Sequence, residues 1–128
     1  MRKKWIVLTP EEWVRQHLIH FLIHEKEYPL SLLSVEKEIE LNGTRKRYDV
    51  VVFEVSMKPI MLVECKSPYV PITELVAEQA LRYNLAIGVK YLLLTNGLQE
   101  YILVNFDGQY SVLNEIPDYN SLLNSDKT

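Results

Sequence analysis

The sequence predicts one α/β domain with a mixed central sheet, flanking helices and a C-terminal hairpin. Three features predict this class: a capped helix near the start, a series of short apolar runs separated by turn residues, and a second helical stretch that leads into a wholly apolar run. The 128 residues are 48% hydrophobic and 24% charged, which suits a globular domain with one core. We expect the domain to span residues 1–113. The polar, turn-rich segment 114–128 should be a loosely ordered tail.

Regular structure should begin at Thr9, which can cap a helix while Pro10 occupies the first helical position and Glu12 completes a capping box. An apolar stripe at helical spacing then runs over residues 13–22. The helix should end before the Tyr28-Pro29 pair, because the residue that precedes a proline disfavours the helical conformation.

Three antiparallel strands should follow this helix. From Leu33 onward, apolar residues alternate with glutamates, which indicates a half-exposed strand. The turn at 42–44 predicts that the next run, about residues 47–55, pairs antiparallel with it. A third strand should cover residues 60–66, where Ser67-Pro68 closes it.

The second half of the chain should hold a helix over about residues 72–88, which Gly88 ends. Residues 91–95 form a short apolar run typical of a buried strand reached by a helical crossover. Residues 101–106 and 110–113, joined by Asp107-Gly108, predict a terminal hairpin. The predicted helical stripe comprises Leu75, Val76, Gln79, Ala80, Tyr83 and Ile87.

Asp49, Glu64 and Lys66 are charged residues within two otherwise apolar strands. Residues two apart in a strand project from the same face, so Glu64 and Lys66 should point together, and Asp49 could lie beside them. Two carboxylates and an ammonium on one sheet face need compensation, which a divalent cation with a nearby phosphate would supply. A second interpretation is a structural ion pair between Glu64 and Lys66, with Asp49 a separate acid near a turn.

Charge and cysteine content indicate which partners and which cellular location to expect. The net charge of −3 argues against a large nucleic-acid footprint, although basic clusters occur at 2–4 and 45–47. Cys65 is the single cysteine and should face the core, and no apolar run has membrane length, so we expect a cytoplasmic protein without a membrane partner. The three histidines at 17, 20 and 24 indicate a helical stripe rather than a zinc site.

The order of elements, with Asp49 on the second strand and Glu64-Cys65-Lys66 on the third, resembles the PD-(D/E)xK nuclease superfamily. It is most similar to the amino-terminal nuclease domain of the restriction subunit of type I restriction enzymes. The likeness extends to residues 9–16, to Gln79-x-x-x-Tyr83-Asn84 and to Thr95-Asn96-Gly97. It implies a restriction-endonuclease-like αβββαβ core. Tyr48 replaces the name-giving proline, and the chain lacks a Gly-x-x-x-x-Gly-Lys-Ser/Thr loop.

The resemblance implies a DNA endonuclease, or restriction-type nuclease domain, that depends on Mg²⁺ or Mn²⁺ and hydrolyses phosphodiester bonds. Asp49, Glu64 and the backbone carbonyl of Cys65 would hold the metal, since Mg²⁺ prefers oxygen ligands. Lys66 would activate the attacking water or stabilise the transition state. Both roles for Lys66 stay open.

Further roles follow from the same resemblance. Gln79 would orient the site, and Glu12 would be a supporting acid or only a capping residue. DNA would be the partner, together with a motor or specificity subunit, or a second copy of the chain. The alternative function is a non-catalytic nucleic-acid-binding or assembly module that acts with a partner protein. The candidate nucleic-acid contacts are Arg45, Lys46, Arg47 and Tyr83.

Overall fold

A computed structural model describes residues 8–85 and 87–124. None of the helices within these ranges is long and apolar enough to cross a membrane. The helices are α1 (Pro10–His24), α2 (Glu74–Asn84) and α3 (Tyr119–Asn124), and a short 3₁₀ turn covers Leu30–Leu32. The strands are β1 (Leu33–Leu41), β2 (Thr44–Phe53), β3 (Pro59–Cys65), β4 (Tyr91–Thr95), β5 (Glu100–Phe106) and β6 (Gln109–Leu113).

The six strands form one sheet in the order β1-β2-β3-β4-β5-β6. Every neighbouring pair is antiparallel except β3 and β4, which run parallel because α2 carries the chain back across the sheet. The predicted α/β class with a mixed sheet is confirmed, and so is the order of elements up to the terminal hairpin.

The central strands are buried on both faces, as expected for strands that lie between helical layers. On one face, Val14, Leu18 and Leu22 of α1 pack against β2, β3 and β4. Cys65 lies in this cluster, as predicted for the core side. On the other face, Ala77 of α2 packs against apolar residues of the same strands. The sheet therefore separates two apolar cores.

The segment after β6 differs from the loosely ordered tail that we expected from residue 114 onward. Ile116, Tyr119 and Leu122 are buried in the core beside α1. The Tyr119 hydroxyl donates to the carbonyl of Phe53 at 2.8 Å, and the Tyr28 hydroxyl donates to the carbonyl of Pro117 at 2.8 Å. Three apolar side chains thus hold an otherwise polar segment against the domain.

Helix α2 is shorter than predicted and is turned relative to the expected stripe. Thr73 caps it by accepting a hydrogen bond from the Val76 amide at 3.3 Å, which sets the start at Glu74. Its buried residues are Ala77 and Asn84. The predicted stripe residues that are exposed instead are Leu75, Gln79 and Tyr83.

Candidate active site

Asp49 and Glu64 lie on neighbouring strands at the point where the ladder between β2 and β3 ends. The last pair on this side of the ladder joins Val50 to Val63, and the next residues along the two strands are the two acids. Oδ2 of Asp49 accepts a hydrogen bond from the backbone amide of Cys65 at 2.7 Å. The Asp49 carboxylate therefore bridges to β3 where strand pairing has stopped.

Glu64 forms an ion pair with Lys46 of β2, not with Lys66. Its side chain is 13% exposed and that of Lys46 is 22% exposed. The Lys46 ammonium also lies 4.4 Å from the ring centre of Tyr83 and 5.0 Å from that of Tyr48. A carboxylate and two aromatic faces thus surround one cation, and each of these groups attracts it.

Tyr48 joins this arrangement to α2. Its hydroxyl donates to Oδ1 of Asn84, and Nδ2 of Asn84 donates to the carbonyl of Ala80 at 2.7 Å. Burial raises the pKa of the Tyr48 phenol, and the Glu64 carboxylate raises this pKa further. The phenol therefore stays protonated as the donor, which explains why a helix can bury the polar Asn84.

Lys66 follows directly after the end of β3, and its amide donates to the carbonyl of Thr95 at 2.8 Å. Its side chain is partly exposed and makes no ion pair or hydrogen bond within residues 8–85 and 87–124. The predicted alternative of a Glu64–Lys66 ion pair is therefore not what the structure shows. The Lys66 ammonium remains available for an anionic ligand.

The turn after β4 anchors the loop that follows Lys66. Nδ2 of the buried Asn96 donates to the carbonyl of Val70 at 2.8 Å, and Oδ1 accepts from the amide of Gln99 at 2.7 Å. Oε1 of Gln99 accepts from the amide of Ile72 at 3.1 Å. This anchoring role of Thr95-Asn96-Gly97 was not expected from the sequence, where the segment is only a point of likeness. Its signal was a polar residue directly after a buried strand.

Glu12 is engaged by a neighbour on α1. Thr9 caps the helix as predicted by accepting from the Glu12 amide at 3.1 Å, while the Glu12 carboxylate pairs with Arg15. Arg15 also reaches Glu36 of β1, at 3.3 Å. The hydrogen bond from Arg15 lowers the pKa of Glu12, so this acid stays ionised. Any supporting role would require Glu12 to act while it is paired with Arg15.

The three consecutive basic residues lie within β2 rather than in the turn before it. Arg45 pairs with Glu38 at 2.9 Å and with Glu40 at 2.8 Å, both on β1. Arg47 is exposed and forms no ion pair with any residue that the structure describes. Strand alternation turns Lys46 toward Glu64, with which it forms an ion pair, so a DNA phosphate would compete with Glu64 for its ammonium.

Gln79 and Tyr83 lie one turn apart on one face of α2, as the sequence predicts, but that face is exposed rather than part of the expected apolar stripe. Tyr83 is 57% exposed and supplies one of the two rings beside Lys46. The contact between Tyr83 and Lys46 was not expected, because it joins α2 to β2 and has no local sequence signal. The contact of Lys46 with Tyr48 does have one, since the two residues are two apart on the same strand.

The Cys65 thiol lies on the α1 side, where burial raises its pKa to about 12 and the Asp49 carboxylate contributes to that rise. A thiol with so high a pKa is protonated at neutral pH and is a poor metal ligand. Only the backbone of Cys65 is therefore suited to the metal role that we expected.

Asp49 and Glu64 are the two carboxylates at these strand ends that would supply oxygen ligands to a metal. No group of three or more His, Cys, Asp or Glu residues suited to a metal occurs in the described part of the chain. The histidines of α1 therefore form no such group there. The Asp49–Cys65 and Lys46–Glu64 contacts engage only Oδ2 and Oε1, so one oxygen of each acid stays open. Mg²⁺ keeps several waters and commonly takes only one or two carboxylates, so these two acids fit it.

The family model of the type I restriction enzyme R protein N terminus (HSDR_N) matches residues 10–117. No curated protein matches the chain. A fragment assigned as the HsdR subunit of a type I restriction enzyme from Vibrio vulnificus has a TM-score of 0.65 at 18% identity, with 92% of this chain and 26% of that chain covered. This chain thus spans about a quarter of that fragment.

Two further solved structures are similar. A protein assigned as a nuclease from Anabaena variabilis has a TM-score of 0.54 at 12% identity, with 89% of this chain and 72% of that chain covered. A complex of DrdV with DNA has a TM-score of 0.50 at 17% identity, with 90% of this chain and 11% of that chain covered. At these identities the likeness establishes the restriction-endonuclease-like fold.

Proposed function

We propose, because the chain belongs to the family of type I restriction enzyme R protein N termini, that this nuclease-like domain hydrolyses DNA phosphodiester bonds with Mg²⁺ or Mn²⁺. The observation that carries the proposal is the position of Asp49 and Glu64 on adjacent strands where their ladder ends. Lys66 follows two residues after Glu64, and its side chain has no ion-pair partner among the described residues. Two acids and an available ammonium are the groups that such a hydrolysis needs.

Asp49 and Glu64 would hold the metal through their carboxylate oxygens, with the backbone carbonyl of Cys65 as the third protein ligand. Such a metal supplies Lewis acidity toward a phosphoryl oxygen and toward a water nucleophile. Lys66 would stabilise the negative charge that develops on the phosphate, or hold the proton of the attacking water. Gln79 would orient the DNA backbone, and Glu12 would support the acidic site from α1.

DNA is the proposed substrate, and one of the similar solved structures is itself a complex with DNA. Arg47 is the best placed of the three basic residues of β2 to contact a phosphate, because Arg45 is paired with β1 glutamates and Lys46 with Glu64. Tyr83 is exposed on α2 beside Lys46. Replacement of Arg47 should weaken DNA binding for all sequences alike, since phosphate contacts carry no sequence information.

A second candidate function is a non-catalytic nucleic-acid-binding or assembly module that acts with a motor subunit, a specificity subunit or a second copy of the chain. The observation that favours it is the Lys46–Glu64 ion pair, which neutralises one of the two acids without any metal.

The decisive experiment is a nicking assay on supercoiled DNA and a cleavage assay on single-stranded DNA, each with Mg²⁺ or Mn²⁺. The wild-type chain should cleave, Asp49→Ala should not, and Lys58→Met should cleave like wild type. Lys58 is an exposed lysine near the start of β3, so it controls for loss of a surface charge. Metal-independent DNA binding without cleavage by the wild-type chain would favour the module instead.

A further inference from the structure

Lys46 occupies the carboxylate of Glu64 from within the chain. We propose that Lys46 is a positioning residue that acts as an internal counter-cation for Glu64, and that a divalent metal must displace it to bind. Lys46 would thereby hold the metal affinity of the site low. This inference rests on the proposed function, because it concerns the same carboxylate.

The Lys46–Glu64 pair is built by three elements of the fold. Lys46 comes from β2, Glu64 from β3, and the ring of Tyr83 from α2. Both charged side chains are mostly buried, whereas the Arg45–Glu40 pair on the neighbouring strands is 67% and 61% exposed. Exposed pairs of the latter kind contribute little, but a sheltered pair with aromatic neighbours is held in one geometry.

The two rings around the ammonium differ in a way that permits its release. Tyr48 is 1% exposed, and its hydrogen bond to Asn84 fixes its ring on the buried side of the Lys46 ammonium. Tyr83 is 57% exposed, so the outer side of the arrangement opens to solvent. The Lys46 side chain can therefore leave Glu64 toward solvent without disruption of the core.

The Lys46 ammonium and a divalent metal would compete for the Glu64 carboxylate because both are positively charged. A divalent ion bound to Glu64 would lie within a few ångströms of the Lys46 ammonium, and like charges at that range repel strongly where water is partly excluded. Removal of the ammonium should both free the second carboxylate oxygen and abolish this repulsion. The metal affinity should then rise, by about tenfold or more, for a pair this sheltered.

The test is calorimetric titration with Mn²⁺. Lys46→Met retains most of the apolar stem and removes the charge, and it should tighten Mn²⁺ binding about tenfold or more. Lys58→Met is the matched control, because it removes the same charge from an exposed lysine outside the site, and it should stay within about twofold. Affinity in Lys46→Met that is unchanged or weaker overturns the proposal.

A second readout uses the wild-type protein, so it does not depend on how well a variant folds. Reductive methylation of Lys46 should be slow without metal and at least severalfold faster with saturating Mn²⁺, with exposed Lys58 as the internal reference. A methylation rate of Lys46 that does not respond to Mn²⁺ also overturns the proposal, since displacement would expose the amine.

The outcomes separate this proposal from the proposed function. If wild type binds Mn²⁺ through Asp49 and Glu64 while Lys46→Met binds no tighter, only the counter-cation role is refuted. If neither protein binds Mn²⁺, the metal site and the counter-cation role are refuted together. A double variant with Asp49→Asn should lose the tighter binding of Lys46→Met, because the gain requires both acids.

Discussion

The hydrogen bond between the Cys65 amide and Asp49 allows a structural role of this carboxylate to be separated from a metal-binding role. Asparagine at position 49 retains an oxygen that can accept from the Cys65 amide and loses the negative charge. Alanine loses both. The 2.7 Å donor–acceptor distance is typical of a bond to a charged acceptor, and removal of such an acceptor costs about 1–3 kcal/mol. We therefore expect Asp49→Ala to be less stable than Asp49→Asn.

Metal binding adds a separate contribution to the free energy of unfolding. An ion that binds only the native state at about 100 times its dissociation constant stabilises that state by roughly 2.7 kcal/mol. Wild type should gain this amount from Mn²⁺, and both Asp49 variants should gain almost nothing. Urea unfolding followed by circular dichroism, with and without Mn²⁺, measures both quantities in one experiment.

The metal role of Asp49 and its hydrogen bond with the Cys65 amide can be refuted separately. An Asp49→Asn variant that keeps the full stabilisation by Mn²⁺ would remove Asp49 from the metal site. Equal stabilities of the Asn and Ala variants without metal would show that the bond to the Cys65 amide contributes little. Asp107→Asn is the control, because Asp107 lies exposed in the β5–β6 turn at a positive φ that asparagine also adopts well.

Further predictions concern three single residues. Lys66→Met should abolish cleavage yet leave the free energy of unfolding within about 0.5 kcal/mol, and strong destabilisation would instead indicate a structural role. Leu122→Ala should cost about 2–5 kcal/mol in urea unfolding because Leu122 is fully buried, while exposed Asn120→Ala should be near neutral; equal values would contradict the packing of α3. The native Cys65 thiol should react with iodoacetamide about a thousandfold more slowly than an exposed thiol, because burial raises its pKa from 9.0 to about 12. A folded-state pKa above the unfolded one gives stability that is present below about pH 9 and lost as the pH rises toward 12, which alkaline unfolding of Cys65→Ala against wild type would check.

The strands that carry the two acids could be predicted because their signals are local. Residues of β2 and β3 are β-branched or otherwise apolar over four or more consecutive positions, and the acids interrupt these runs near one end. The parallel return to β4 follows from a helix-length segment between two such runs. Chain geometry alone therefore placed Asp49 and Glu64 on neighbouring strands.

The contact of Lys46 with Glu64 could not be predicted in the same way. Three consecutive basic residues next to a turn are most often solvated, so the sequence predicts a strand that begins only near Arg47. The tight turn that pairs Leu41 with Thr44 instead makes all three part of β2. Their alternation then directs Lys46 to a glutamate eighteen residues away, a contact that only the register of two strand pairs determines.

Segment 114–124 shows the same limit for packing. Its polar composition predicts a loose tail, and α3 is only six residues long, too short for helical periodicity to stand out. Yet Ile116, Tyr119 and Leu122 recur at intervals of three and fill the core beside α1. These three side chains are enough to hold the segment in place because they pack against α1 and the sheet. The sequence does not reveal that contact, since the residues that form it are remote along the chain.

These cases share a physical reason. Local sequence determines which groups are acids, cations or apolar side chains, while remote segments determine what each of them contacts. Asp49 is engaged by the Cys65 amide and Glu64 by Lys46, and both contacts exist only after β2 and β3 have paired. If the domain acts as we propose, the metal affinity of the site would be set by a competition that folding creates, in which a divalent metal has to exceed the attraction of Glu64 for Lys46.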